Sequence, residues 1–337
     1  MSNSTKRGSV GIQRFLLKVL CTVLAVILAG MVGITVFVQQ LMNGINLADP
    51  EGDAFHFAEE LAQLLPEKIE EAMDPEGDSR ETGSLLQNKD VINILLVGQD
   101  RRPGEERARS DAMILCTIHK KTRQLTMTSI LRDLYVQIPG YEDNRINAAY
   151  AFGGMKLLQE TLEKNFGIRV NGTVEVDFSQ FADIVDLLGG VTLDIREDEA
   201  RVINEETGSS LSEGSCLLNG KQALTYSRIR SLDADGDFSR TNRQRKVMSA
   251  VLETYKSKDL KTMLSQVDDI LPMITTDMSN LKIIAYGLEL FPKLAEMTVV
   301  SQRIPADGTY SAQMIRGMSV LVADMDAAQQ MLEEIQR

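Results

Sequence analysis

The chain has 337 residues, 43% hydrophobic and 25% charged, enough to bury one sizeable core with at most a small appendage. Its net charge of -12 argues against a domain-wide nucleic-acid surface, which needs a basic face, so any basic site must be local. Three cysteines make neither a disulfide framework nor a paired-cysteine zinc spacing, and His56 and His119 stand apart from any triad or HExxH context, which speaks against histidine-based catalysis.

In chain order, residues 1–14 read as a cytoplasmic tail and 15–38 as a transmembrane helix. Its apolar run, VLCTVLAVILAGMVGITVFV from Val19 to Val38, is long enough to cross a bilayer. Lys6, Arg7, Arg14 and Lys18 precede it, whereas Asp49, Glu51 and Asp53 follow, so the positive-inside bias keeps the amino terminus in the cytoplasm and the rest outside. A cleaved signal peptide would need a shorter apolar run and a small-x-small site after it. Cys21 falls inside this segment, which leaves Cys116 and Cys216 as one candidate extracytoplasmic pair.

Residues 39–90 read as a polar, acidic connector with an amphipathic stretch from Ala54 to Met73, where Phe57, Leu61, Leu64 and Leu65 recur at helical spacing. Turn formers from Pro75 to Asn88 mark the boundary, and 91–337 form the folded domain. Val91–Val97 is a buried-strand run ending at Gly98; Ala112–Ile118 and Leu125–Ile130 flank KKTRQ as a hairpin. A helix is expected over Met155–Asn165, a strand over Thr173–Phe178, and a helix capped by Ser179 that stops at Gly189 and Gly190. The strand VTLDI follows, then a helix over Asn242–Lys256, a strand over Met297–Gln302, and a closing strand and helix between Met318 and Ile335. The summed pattern is a single α/β domain with a mostly buried sheet, behind one amino-terminal transmembrane helix.

Three polar clusters stand at strand ends or in loops. Gln99-Asp100-Arg101-Arg102 leads to Arg109-Ser110-Asp111; Arg132-Asp133 follows a strand directly; Arg228, Arg230, Asp235, Asp237, Arg240, Arg243, Gln244 and Arg245 make the longest. Guanidinium forks match phosphate oxygens bidentately, so repeated arginines in an acidic chain point to a phosphorylated ligand, a pyrophosphate above all. Asp100 and Asp111 would repel that ligand unless a hard divalent cation, Mg²⁺ or Mn²⁺, lay between them. Carboxylates and arginines without a nucleophile triad suit phosphoryl transfer, where positioning and charge neutralisation do most of the catalysis. Arg228 and Arg230, two apart on an expected extended segment, would face one side, and Arg240 and Gln244, four apart, would project together from a helix. Surface ion pairs and turn stabilisation would use the same spacings, so spacing alone leaves both readings open.

Taken in order, the motifs resemble the LytR-CpsA-Psr family of cell-wall glycopolymer ligases, most strongly over 91–252. NILLVGQDRR with RSDAMILCTI is similar to that family's first signature and TSILRDLYVQIPG to its second. NRINAAYAFGG, VEVDFSQFADIVDLLGGVTLDI and LNGKQALTYSRIRSLDADGDFSRTNRQRKV follow in the same order and spacing. The resemblance implies metal-associated and catalytic roles for Asp100 and Asp111, and pyrophosphate contacts from Arg109, Arg132, Arg228, Arg230, Arg240 and Gln244. Leu131 departs from the pattern, which usually has proline there.

By the same resemblance the α/β domain would have a central mixed sheet flanked by helices, and the chain would be a membrane-anchored, Mg²⁺-dependent phosphotransferase. It would move a glycan phosphate from an undecaprenyl pyrophosphate carrier to a muramic acid hydroxyl of peptidoglycan, with an apolar pocket for the prenyl chain. A polyprenyl pyrophosphate phosphatase, or a non-catalytic lipid-phosphate-binding regulator, would use the same arginines. The acidic domain outside the membrane speaks against contact with DNA.

Overall fold

The computed structural model describes residues 46–47, 88–99, 110–233, 237–258, 262, 266, 269–290, 293 and 296–337. The tail, the 15–38 segment and the amphipathic stretch Ala54–Met73 lie outside them. Among the described residues no helix is long and apolar enough to cross a membrane.

The strands are β1 (Asn46–Leu47), β2 (Val91–Gln99), β3 (Ser110–His119), β4 (Gln124–Ile130), β5 (Tyr135–Val136), β6 (Asn144–Arg145), β7 (Gly172–Asp177), β8 (Val191–Ile195), β9 (Gly214–Leu218), β10 (Thr275–Thr276), β11 (Thr298–Ile304), β12 (Tyr310–Ile315) and β13 (Met318–Ala323). The helices are α1 (Ile146–Phe166), α2 (Phe178–Leu187), α3 (Glu197–Thr207), α4 (Gly220–Arg228), α5 (Asp237–Lys256), α6 (Asn280–Leu290) and α7 (Met325–Gln336).

A seven-stranded mixed sheet, in the order β1-β10-β7-β2-β3-β4-β11, is the centre of the domain. The strand VINILLVGQ lies in its middle because it is apolar on both faces, as a strand covered on both sides must be. Leu95, Val97, Met113, Leu115 and Ile130 face α1 and α7, meeting Ala149, Leu158, Leu162 and Leu332. On the opposite face Ile114, Cys116, Leu125 and Met127 receive Met248 and Leu252 of α5. Beside these layers the β8–β9 hairpin, α3 and α4 share a core of Val191, Ile203, Leu218, Ala223 and Tyr226, which Val247 of α5 joins to the main domain.

Several boundaries differ from the sequence expectations. The sheet begins before Val91, because Asn46–Leu47 of the connector pairs in parallel with β10. The helix expected at Met155 starts at Ile146 and runs through a kink at Gly154, whose φ of 66° is open to glycine. α2 is capped by Asp177, not Ser179: the Asp177 carboxylate accepts from the Gln180 N–H at 2.9 Å while the Gln180 side chain accepts from the Asp177 N–H at 3.0 Å. Helix α5 starts at Asp237, five residues before Asn242, with an acidic first turn that complements the helix dipole.

Candidate functional site

Strands β2, β4, β7 and β11 run in one direction, since β2 pairs in parallel with β7, β4 in parallel with β11, and β3 is antiparallel to both β2 and β4. Their carboxyl ends and the start of β3 therefore lie along one edge, where open α/β sheets bind ligands. Arg132 follows β4 directly and Asp111 lies near the start of β3. The register of β2 and β3 shifts there: Gly98 opposes Ala112 and Gln99 opposes Ser110, so Asp111 has no cross-strand partner. A bulge of this kind bends the strand and sharpens its local twist. Gln99 is held from below, its amide donating to buried Glu175, whose other oxygen accepts from the Tyr150 hydroxyl.

The arginines gather on Asp237, a member of the third polar cluster to which the sequence assigns no role. Asp237 Oδ2 accepts from Arg132 Nε at 3.1 Å and from Arg240 Nη2 at 3.0 Å, while Oδ1 lies 3.9 Å from Arg230 Nε. Arg240 is only 2% exposed, so its guanidinium is held rigidly while its partners remain open to solvent. The i,i+3 spacing of Asp237 and Arg240 in the first turn of α5 is the sequence signal that would have found the pair.

Arg228 and Arg230 do not share an extended segment. Arg228 is the last residue of α4 and places its guanidinium 4.9 Å from the centre of the Phe178 ring, whereas Arg230 lies beyond the helix. The helical conformation wins because Asn219 and Gln222 form a capping box at the other end, with bonds of 2.9 Å. Gln244 lies half-buried on α5. Asp100 and Arg109 fall outside the described residues, and so does the side chain of Asp111. Among the described residues no cluster of three or more His, Cys, Asp or Glu is placed to hold a metal.

Arg243 belongs to a different, structural network. Its Nε donates to Glu199 at 2.8 Å, its Nη1 to the Ile229 carbonyl at 3.2 Å, and its Nη2 to Asp233, which Arg196 also contacts at 3.0 Å. Burial works against the charge on Arg243, yet the bonds to Asp233 and Glu199 raise its pKa. Burial would raise the Asp233 carboxyl, but bonds from Arg243 and Arg196 outweigh it and hold the group below its ordinary value. The network pins the turn after Arg228 to α3 and α5.

Residues 58–337 match the model of the LytR_cpsA_psr family. The chain belongs to this family. It is 33% identical over 233 residues to the polyisoprenyl-teichoic acid–peptidoglycan teichoic acid transferase TagU of Bacillus licheniformis, a match covering 68% of this chain and 73% of TagU. The structure of TagT bound to LIIa-WTA is similar with a TM-score of 0.63 and 29% identity, over 77% of this chain and 96% of TagT. A second TagT structure, with bound octaprenyl pyrophosphate lipid, matches with a TM-score of 0.58 and 28% identity, over 79% of this chain and 95% of that one. The Leu131 N–H donates to the Ile304 carbonyl at 2.9 Å, a bond proline could not make, and ties the turn before Arg132 to β11.

The candidate disulfide is absent: Cys116 and Cys216 are both free. Cys116 is buried on β3 beneath α5, and Cys216 lies on β9 with its thiol 3.1 Å from the Ser212 carbonyl.

Proposed function

We propose that the chain is a membrane-anchored phosphotransferase. It moves a glycan phosphate from an undecaprenyl pyrophosphate carrier to a muramic acid hydroxyl of peptidoglycan. The observation that carries this reading is the gathering of Arg132, Arg230 and Arg240 on Asp237 at the carboxyl edge of the sheet, in a family whose member TagT binds octaprenyl pyrophosphate. Residues 15–38 would anchor the domain outside the membrane, with 1–14 in the cytoplasm. Tethering raises the local concentration of a donor that never leaves the lipid surface. Protease treatment of intact protoplasts should then digest the domain, and protection of residues beyond Asn43 until lysis would refute the topology.

In the reaction the acceptor hydroxyl oxygen attacks the glycan-side phosphorus. The bond from that phosphorus to the bridging oxygen breaks, and polyprenyl monophosphate leaves. Arg132, Arg228, Arg230 and Arg240, with Arg109 and Gln244, bind the phosphate oxygens and stabilise charge that grows on the bridging oxygen. Asp111 takes the proton of the acceptor hydroxyl. Asp100 and Asp111 would hold Mg²⁺ or Mn²⁺, which when bound neutralises pyrophosphate charge.

The test is incubation of the full chain with a lipid-linked glycan donor, Mg²⁺ and peptidoglycan oligomers. A glycan joined to muramic acid through phosphate is the expected product. Release of free glycan phosphate at an equal rate with or without acceptor would overturn transfer in favour of hydrolysis.

A further inference from the structure

Under the first turns of α5 lies a set of buried polar atoms that the cluster on Asp237 does not use. Phe238, Arg245, Met248 and Leu252 recur at helical spacing along the α5 face turned to the sheet, and Met248 and Leu252 pack on Ile114, Cys116, Leu125 and Met127. Arg245 is 6% exposed, and its Nε and Nη1 have no hydrogen-bond partner among the described residues. Its Nη2 has only a long contact to Asn242 Oδ1, at 3.4 Å. A guanidinium presents five donors and stays charged in proteins, so burying one without an anion is costly.

The neighbouring groups add donors where Arg245 needs acceptors. Burial, and then the charge of Arg303, push Arg245 down to about 10. Arg303, on β11, lies 4.5 Å from the centre of the Phe238 ring, and Phe238 in turn stacks on Tyr310 at 5.2 Å. The Arg303 guanidinium pairs outward with exposed Asp307, while its Nε is buried without a partner among the described residues. Arg303 stands in register with Ser129 of β4, whose Oγ is likewise buried with no partner among the described residues. Arg303 thus links the two elements: it lies near enough to Arg245 for their charges to interact, and it stands beside Ser129 on the sheet, each with buried donors unmet among the described residues. Native proteins rarely leave such groups unmet.

We propose that Arg245, Arg303 and Ser129 form a second anion site, between α5 and the β4–β11 edge, that holds a phosphate group. A phosphate dianion offsets both guanidiniums and offers oxygens to two forks and a hydroxyl from separate directions. Lipid monophosphate and inorganic phosphate share this chemistry. The lipid source rests on the proposed function, in which polyprenyl monophosphate is the leaving product; the anion site itself does not. Apolar Met248 and Met127, next along the same interface, suit the carbons adjoining a lipid phosphate.

The experiment uses the full chain in detergent micelles, with inorganic phosphate and decaprenyl monophosphate as separate probes, measured by calorimetry and thermal unfolding. Wild type should bind at least one probe. Arg245→Met should weaken that binding by about tenfold or more, as loss of a charge-assisted pair implies. Its melting temperature without probe should equal or exceed that of wild type, since an unpaired buried charge is gone. Ser129→Ala, a change too small to endanger folding, should weaken binding severalfold. Binding of inorganic phosphate assigns the free anion as a ligand; binding of the lipid alone assigns the headgroup. The proposal is overturned if wild type binds neither probe, or if Arg245→Met and Ser129→Ala bind as wild type does. Absence of glycan transfer would refute the function proposed above and leave these binding results standing.

Discussion

Arg132 Nε lies 3.1 Å from Asp237 Oδ2, the same oxygen that Arg240 reaches at 3.0 Å, so one carboxylate joins the end of β4 to the start of α5. Under the proposed function it stands where the arginines would meet a phosphate, and its charge would compete with that ligand. Asp237→Asn should lower stability by roughly 1–3 kcal/mol, since Arg240 is buried and Asp237 is partly open to solvent. Added pyrophosphate should raise the melting temperature of the variant more than that of wild type. Equal shifts in both proteins would show that the carboxylate does not compete.

Arg132→Lys, Arg228→Lys and Arg240→Lys keep the charge and lose the planar fork. Each should reduce transfer from a lipid-linked donor on the order of 100 to 1000-fold while leaving the chain folded. Asp111→Asn should be at least as damaging and extra Mg²⁺ should not restore it, whereas Asp100→Asn should recover in part. If these residues only made surface ion pairs, turnover would stay near wild type and stability would change by about 1 kcal/mol or less.

Removing Arg243 should act on folding, because buried Glu199 and half-buried Asp233 would lose their buried partner and keep only the exposed Arg196. Arg243→Met should cost roughly 3–5 kcal/mol in denaturant unfolding. The Asp233 carboxyl is lowered in the folded protein, so its contribution is present above the unfolded value of about 3.9 and is lost as pH falls through the folded value below it. Wild type should therefore shed stability in that acid window, and the variant should shed less.

Burial pushes the Cys116 thiol up to about 12, leaving almost no thiolate near neutrality. In the native protein at pH 8, iodoacetamide should modify Cys216 and spare Cys116, and both should react after unfolding. A Cys116–Cys216 crosslink in unreduced peptides, or native labelling of Cys116, would contradict the free, buried thiol.

Much of the framework was legible in the chain itself. Local pattern suffices for β2, β3 and β4, because a run such as VINILLV must be covered on both faces and KKTRQ must turn. The family followed from five motifs in order. Two elements were harder for a physical reason. In α3, EDEARVINEET carries acidic residues that read as surface, and its helix is secured by contacts of Ala200 and Ile203 with the β8–β9 hairpin. Asn46–Leu47 is too short to signal a strand, and exists as one only because β10 offers it an edge.

The sequence by itself determined which residue types were available for a phosphate site and on which strand ends they would stand. Tertiary structure decided which arginine meets which acid. Arg132 and Asp237 are 105 residues apart and join only because β4 ends beside the start of α5. Arg240, Arg243 and Arg245 lie within two helical turns and look alike in the sequence. The helix turns them towards Asp237, towards Glu199 with Asp233, and towards the sheet beside Arg303. Electrostatic partnership depends on distance and burial in space, and neither is encoded in spacing along the chain.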